Sequence, residues 1–159
     1  MRIKDYLNGI LNIVAANPHV KSQSISFEER PPNAAYITGT VTFFDLSKLY
    51  FKEFVVFKTK SINIFKYGYS YLGKDDTLIF RYDNAFDPKA KKLSTYPEHK
   101  HISKKLLPAK RPTFKEMLEE ISELFQNLPD LKAIEDRINE PAENYEAYSR
   151  KRKSRKDRD

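Results

Sequence analysis

Ile3, Tyr6, Leu7, Ile10, Leu11 and Val14 recur at the i, i+3, i+4, i+7 spacing of one helical face. They predict an amphipathic helix over residues 3–16, stopped by Asn17-Pro18. Beyond the proline the period drops to two. A strand is predicted from Val20 to Glu29, and Arg30-Pro-Pro-Asn33 turns the chain. Ala35 to Phe44 alternates Ile37, Val41 and Phe43 against Tyr36, Thr38, Thr40 and Thr42, in a run rich in β-branched and aromatic residues. Leu49 to Thr59 follows the Asp45–Lys48 connection. Apolar residues on both of its faces predict a central strand covered on two sides. Ile62 to Leu72, a turn at Gly73–Asp76, and Thr77 to Asn84 complete the set.

Five strands in meander order imply an antiparallel sheet, flanked by the N-terminal helix and by one or two C-terminal helices, an α+β architecture. Thr113 and Glu116 read as a capping box, and Phe114, Met117, Leu118, Ile121, Leu124 and Phe125 form the apolar stripe that follows. Leu128-Pro129-Asp130 is expected to break that helix, with a short second one starting at Asp130. The domain is expected to span residues 1–138, leaving 139–159 as a flexible, basic tail.

Composition narrows the chemistry. The chain has no Cys, which removes disulfides, thiolate nucleophiles and Cys-based zinc sites. No apolar run reaches the roughly 18–20 residues of a membrane span, and the N-terminus leads into an amphipathic segment, so the expectation is a soluble, cytoplasmic protein. Of the net charge of +7, residues 1–112 carry 19 Lys and Arg against 10 Asp and Glu, while residues 113–138 are acidic. A basic body suits a polyanionic partner, and it also suits an ordinary lysine-rich surface.

Chemically capable side chains converge after the fifth strand. Arg81 and Asp83 stand at i, i+2, either as an ion pair pinning the strand end or as a phosphate donor beside a proton acceptor. His99-Lys100-His101 follows a Pro-punctuated loop. If extended, it projects both imidazoles to one side and Lys100 to the other. Two histidines near a cation suit acid–base chemistry at neutral pH, as in metal-free RNA cleavage. The same pair with Asp83 could ligate a metal. Tyr67, Tyr69 and Tyr71 share one strand face, either as a base-stacking platform or as cross-strand packing.

Phe80-Arg-Tyr-Asp-Asn-Ala85, followed by Thr95-Tyr-Pro-Glu-His-Lys-His101 and preceded by Tyr67-Gly-Tyr-Ser-Tyr71, resembles the TumE-type toxin family of prokaryotic toxin–antitoxin systems. The resemblance covers about residues 3–126. The chain departs from the pattern at Ser70, at Phe86-Asp87 and at Glu98, where histidines or a Pro-His-His segment are expected. The resemblance implies a toxin that acts on RNA as a candidate metal-independent ribonuclease, with no cofactor. His99, His101, Lys100 and Asp83 are then the catalytic candidates, and Arg81, Asn84, Tyr67, Tyr69 and Tyr71 the nucleic-acid-binding ones. The implied partners are a cognate antitoxin, in some modules one with a helix-turn-helix, and RNA or another nucleic acid. No membrane is implied, and a homodimer is left open. The alternative is a non-catalytic module that binds nucleic acid or protein through the basic body and the tyrosine-bearing face.

Overall fold

The computed structural model describes residues 2–138, with side chains described to residue 127. The tail expected at 139–159 lies outside the described residues. The chain divides into two units, one ending at Glu119 and one beginning at Glu120.

The first unit opens with α1, Ile3–Ala16, which buries Leu7, Ile10 and Val14. Its first turn is closed by Asp5, whose carboxylate accepts the Arg2 backbone N–H at 3.2 Å. Seven antiparallel strands then follow in unbroken meander order: β1 Val20–Arg30, β2 Ala34–Phe43, β3 Lys48–Phe57, β4 Ile62–Leu72, β5 Leu78–Asp83, β6 His99–Ile102 and β7 Lys105–Pro108. The expected count of five is thus corrected to seven. The two additional strands have four residues each and read His-Lys-His-Ile and Lys-Leu-Leu-Pro, too short to display a period-two apolar pattern. Pairing of β6 with β5, and of β7 with β6, holds them.

Alternation and register together sort every side chain to one of two faces. Ile37, Glu53 and Tyr67 lie in one cross-strand row, and Gly39, Phe51, Tyr69 and Tyr82 in the next. This face is the core. Ile37, Val41, Phe43, Leu49, Phe51, Val55, Tyr69 and Phe80 are all at most 3% exposed. The opposite face is open, with Tyr50 at 41%. The expectation that β3 is covered on both sides is therefore corrected. Tyr50, Phe54 and Val56 are apolar enough to resemble a second buried face, but among the described residues no element packs over it.

Gly39 shows how tightly the covered face is built. A Cβ there would collide with the Phe51 ring, which lies across the glycine from the partner strand and stacks edge-on against Phe114 at 5.0 Å. Beneath the same face Glu53, 1% exposed, accepts hydrogen bonds from the Tyr6 hydroxyl at 2.6 Å and the Tyr69 hydroxyl at 2.5 Å. Arg111 donates to the Tyr69 oxygen at 3.3 Å. Burial, reinforced by the Glu53 charge, pushes both tyrosine hydroxyls well above their usual range, so they remain donors. One buried carboxylate thereby links α1, β3, β4 and the segment leading to α2.

The helix α2 spans Phe114–Ile138. Its capping box forms as predicted: the Thr113 N–H donates to Glu116 Oε2 at 2.7 Å, and the Glu116 N–H donates to Thr113 Oγ1 at 3.2 Å. In the first unit it buries Phe114, Met117 and Leu118. In the second unit it continues from Glu120 to Ile138, which corrects the break expected at Leu128-Pro129-Asp130 and the second helix from Asp130. A proline removes one backbone donor and strains one turn, a cost a long helix can carry without ending.

Gly39→Ala should lower stability by about 1–3 kcal/mol, because the Phe51 ring is locked between the glycine and Phe114 and has nowhere to shift. Urea denaturation should show a lower midpoint with an unchanged m-value.

Candidate functional site

β5 ends by placing Arg81 and Asp83 on the open face, and β6 returns antiparallel beside it. The register sets Arg81 opposite His101 and Asp83 opposite His99. Four polar side chains thus meet in a two-by-two block, with directly opposed residues about 5 Å apart. The loop before β6 is tied down by Thr95, whose hydroxyl donates to Glu98 O at 2.7 Å and accepts the Ala109 N–H at 3.0 Å.

Asp83 organises the block. It is 5% exposed, and its Oδ1 accepts the Ala85 N–H at 3.0 Å and faces His99 Nε2 at 3.1 Å. Its Oδ2 accepts Arg81 Nε–H at 2.7 Å and lies 3.7 Å from His101 Nε2. His99 is 1% exposed, and its Nδ1–H donates to Pro97 O at 2.8 Å. Both ring nitrogens therefore face oxygens of the protein itself. His99 is a positioning residue. It has no free nitrogen for a substrate.

His101 is different. Its Nε2 lies 3.1 Å from Arg81 Nη2, and since a guanidinium only donates, Nε2 accepts and the ring is neutral with its proton on Nδ1. Burial lowers the His101 pKa below its usual 6.5, and the Arg81 charge adds to the effect. The two rings pack edge-on, with centroids 4.9 Å apart.

The other expected site residues sit elsewhere. Lys100 points to the covered face, where its Nζ lies 5.0 Å from the Phe80 ring centroid and 4.6 Å from that of Tyr82, so its expected catalytic place beside the histidines is corrected by strand parity. The Asn84 amide is spent on the backbone, donating to Phe65 O at 2.8 Å and accepting the Tyr67 N–H at 3.0 Å. Tyr67, Tyr69 and Tyr71 are 4%, 0% and 2% exposed. Their rings offer no face to a base, and the stacking role expected of them is corrected to core packing.

The chain's membership is decided by a family comparison. The model described as Toxin TumE matches residues 10–138. The chain belongs to the TumE toxin family. No curated protein and no solved structure matches it. No helix among the described residues is long and apolar enough to cross a membrane.

In this TumE family member, donor atoms of Asp83, His99 and His101 lie within 4.8 Å of one another, as a metal site would require. Arg81 is bonded to two of the three residues, so a cation would have to displace the guanidinium. Lys52 and Tyr50, which line the same face, are not among the site residues the sequence predicts, and Ser70, which enters there only as a departure from the family pattern, stands beside them. The signal is the i, i+2 spacing of Tyr50 and Lys52, but only the register reveals that their rows run through Arg81 and Asp83.

His99→Ala should cost on the order of 3 kcal/mol in thermal or urea unfolding, since it strips a buried carboxylate of one partner. His101 has a depressed folded pKa, so the unfolded chain binds its proton first as pH falls. Its neutral form therefore supports stability above pH 6.5, and that support is lost as pH drops from there through the lowered value. His101→Gln should flatten this segment of the stability–pH curve and leave the rest of the curve in place.

Proposed function

We propose that this TumE family toxin acts on RNA as a metal-independent ribonuclease, with His101 as the proton-transferring group and Arg81 as the phosphate donor. The observation that carries this reading is the neutral, partly exposed His101 held against Arg81 on an open sheet face. An arriving phosphodiester competes for the guanidinium, and when Arg81 turns to the phosphate oxygens it releases His101 Nε2 as a base. His101 then takes the 2′-hydroxyl proton, and the 2′-oxygen bonds to phosphorus. The bond to the 5′-oxygen breaks, and water supplies the proton the leaving oxygen needs. The products are a 2′,3′-cyclic phosphate and a 5′-hydroxyl. Arg81 stabilises the charge that develops on the phosphorane. Asp83 and His99 hold the block together, with Asp83 fixing Arg81 and His99 fixing Asp83. The cytoplasmic partner is a cognate antitoxin, one bearing a helix-turn-helix in the modules this arrangement fits.

A non-catalytic module remains the second reading, favoured by the internal satisfaction of His99 and Asp83. It expects binding without cleavage.

Induced expression should arrest growth, and His101→Ala should relieve the arrest while the protein stays folded. In vitro, His101→Ala should lower the cleavage rate about 10²–10⁴-fold, the range for a general base. Cleavage should survive EDTA and fail on a 2′-deoxy substrate. The acid limb of the rate profile should lie below pH 6.5 and move upward in Arg81→Gln, because the Arg81 charge helps to depress the His101 pKa. Undiminished toxicity and cleavage in His101→Ala would sink the assignment.

A further inference from the structure

The ladder register draws two rows of side chains across the open face. One runs Thr40, Tyr50, Ser70, Arg81, His101, and its neighbour runs Thr38, Lys52, Gly68, Asp83, His99. A groove of about 600 Å³ lies over the part of these rows that runs from β2 to Arg81 and Asp83 on β5. β2 and β4 line it with small residues, Thr38, Thr40, Gly68 and Ser70, on either side of Tyr50 and Lys52 of β3. The single carboxylate in the two rows, Asp83, is already bonded to Arg81. The groove's net character is therefore cationic.

Gly68 is the gap in the second row. A Cβ at this position would sit 3.2 Å from Lys52 Cε and 3.6 Å from Lys52 Cγ, with Asp83 Cβ 3.9 Å away on the other side. The lysine stem thus lies along the row over Gly68, directed toward the Arg81–Asp83 block. Lys52 and Tyr50 stand on the same strand, two strands or about 10 Å from the block. The Tyr50 ring is 41% exposed, while the tyrosines of β4 are buried on the opposite face.

We infer that this face binds a single-stranded RNA segment running across β3 to β6, with a base stacked on Tyr50 and the neighbouring phosphate held by Lys52 over the gap at Gly68. The proposal deepens the ribonuclease reading and rests on it for the placement of the scissile phosphate at Arg81 and His101. An isolated aromatic face beside a cation recognises an unpaired base and its backbone, because a base within a duplex is stacked on both sides. Lys52 also supplies, on the correct face, the second cation that strand parity denies to Lys100.

Fluorescence anisotropy on the His101→Ala protein, which should not consume the ligand, tests the surface directly. The probes are a single-stranded RNA of about ten nucleotides and a blunt duplex of the same sequence. The single strand should bind more tightly than the duplex. Tyr50→Ala should weaken it about tenfold, and Tyr50→Phe should preserve it. Lys52→Met should make the salt dependence between about 50 and 200 mM shallower by about 0.7 in logarithmic slope, one phosphate contact fewer. Gly68→Val, by pushing the lysine stem off its seat, should move binding in the same direction. Phe44→Ala, at an exposed position in the β2–β3 connection, should change nothing. Equal affinity for the duplex, or parental affinity and salt slope in both Tyr50→Ala and Lys52→Met, would overturn the proposal. The two readings fail separately. His101-dependent cleavage with silent Tyr50 and Lys52 variants removes the surface alone. Tyr50-dependent binding without cleavage by the parent leaves the surface standing and removes the ribonuclease.

Discussion

A carboxylate taken out of water must be met by donors, and Asp83 recruits them from three places in the chain. Arg81 comes from two residues upstream on the same strand, the Ala85 N–H from the exit of β5, and His99 from beyond a loop of fifteen residues (84–98). Removing one partner of such a group costs far more than the pair contributes over an apolar substitute, so the arrangement acts chiefly as a register lock. β6 and β7 have four residues each and little apolar surface. Sliding β6 by one residue would turn His99 and His101 to the covered face and present Lys100 to Asp83 in their place. The lock and the site are one set of atoms.

Glu53 repeats the device on the covered face. It is as fully buried, and it is satisfied by hydroxyls from α1 and β4, with Arg111 behind one of them. The two carboxylates serve different ends because their donors differ. Tyrosine hydroxyls pushed above their usual range do not exchange protons near neutrality, so Glu53 fastens elements and has no path to chemistry. Asp83 is met by a guanidinium and an imidazole, and the guanidinium in turn holds a second, titratable imidazole. A change in Arg81 alone is enough to pass from a closed network to one with a free base.

How much of this could be read from the chain follows from the length of each signal. Helix α1, the five longer strands and the Thr113–Glu116 cap each leave a periodic or positional mark over several residues, and each forms. β6 and β7 leave none, since four residues are too few for a period, and β6 is held by Asp83 while β7 follows β6. Alternation groups Tyr67, Tyr69 and Tyr71 on one face but does not say which face is covered, and that single missing bit separates a core from a stacking platform. The same bit decides Lys100. Extended geometry sets it opposite the two histidines, so nearness in sequence does not bring it to their side. Lys52, thirty-one residues before Asp83, shares the site's face because three strands of register bring it there.

The departures from the family pattern acquire a physical meaning once the rows are drawn. Ser70 stands between Tyr50 and Arg81 in the first row, at the position where the pattern has a histidine. An imidazole there would adjoin Arg81 on the side away from His101, flanking the phosphate with two titratable groups. A serine leaves that place small and unable to exchange a proton at neutral pH. His99 does not replace it, because both of its nitrogens are engaged and its ring is buried. Among the described residues at the site, His101 is thus the one imidazole open to a ligand, and on the proposed ribonuclease reading the chemistry reduces to a single proton carrier beside a single guanidinium. On that reading the site loses a positioned acid for the leaving group but gains an uncrowded groove, in which Tyr50 and Lys52 would reach the same ligand as Arg81. Its selectivity then depends more on what the open face can bind than on how fast His101 can act.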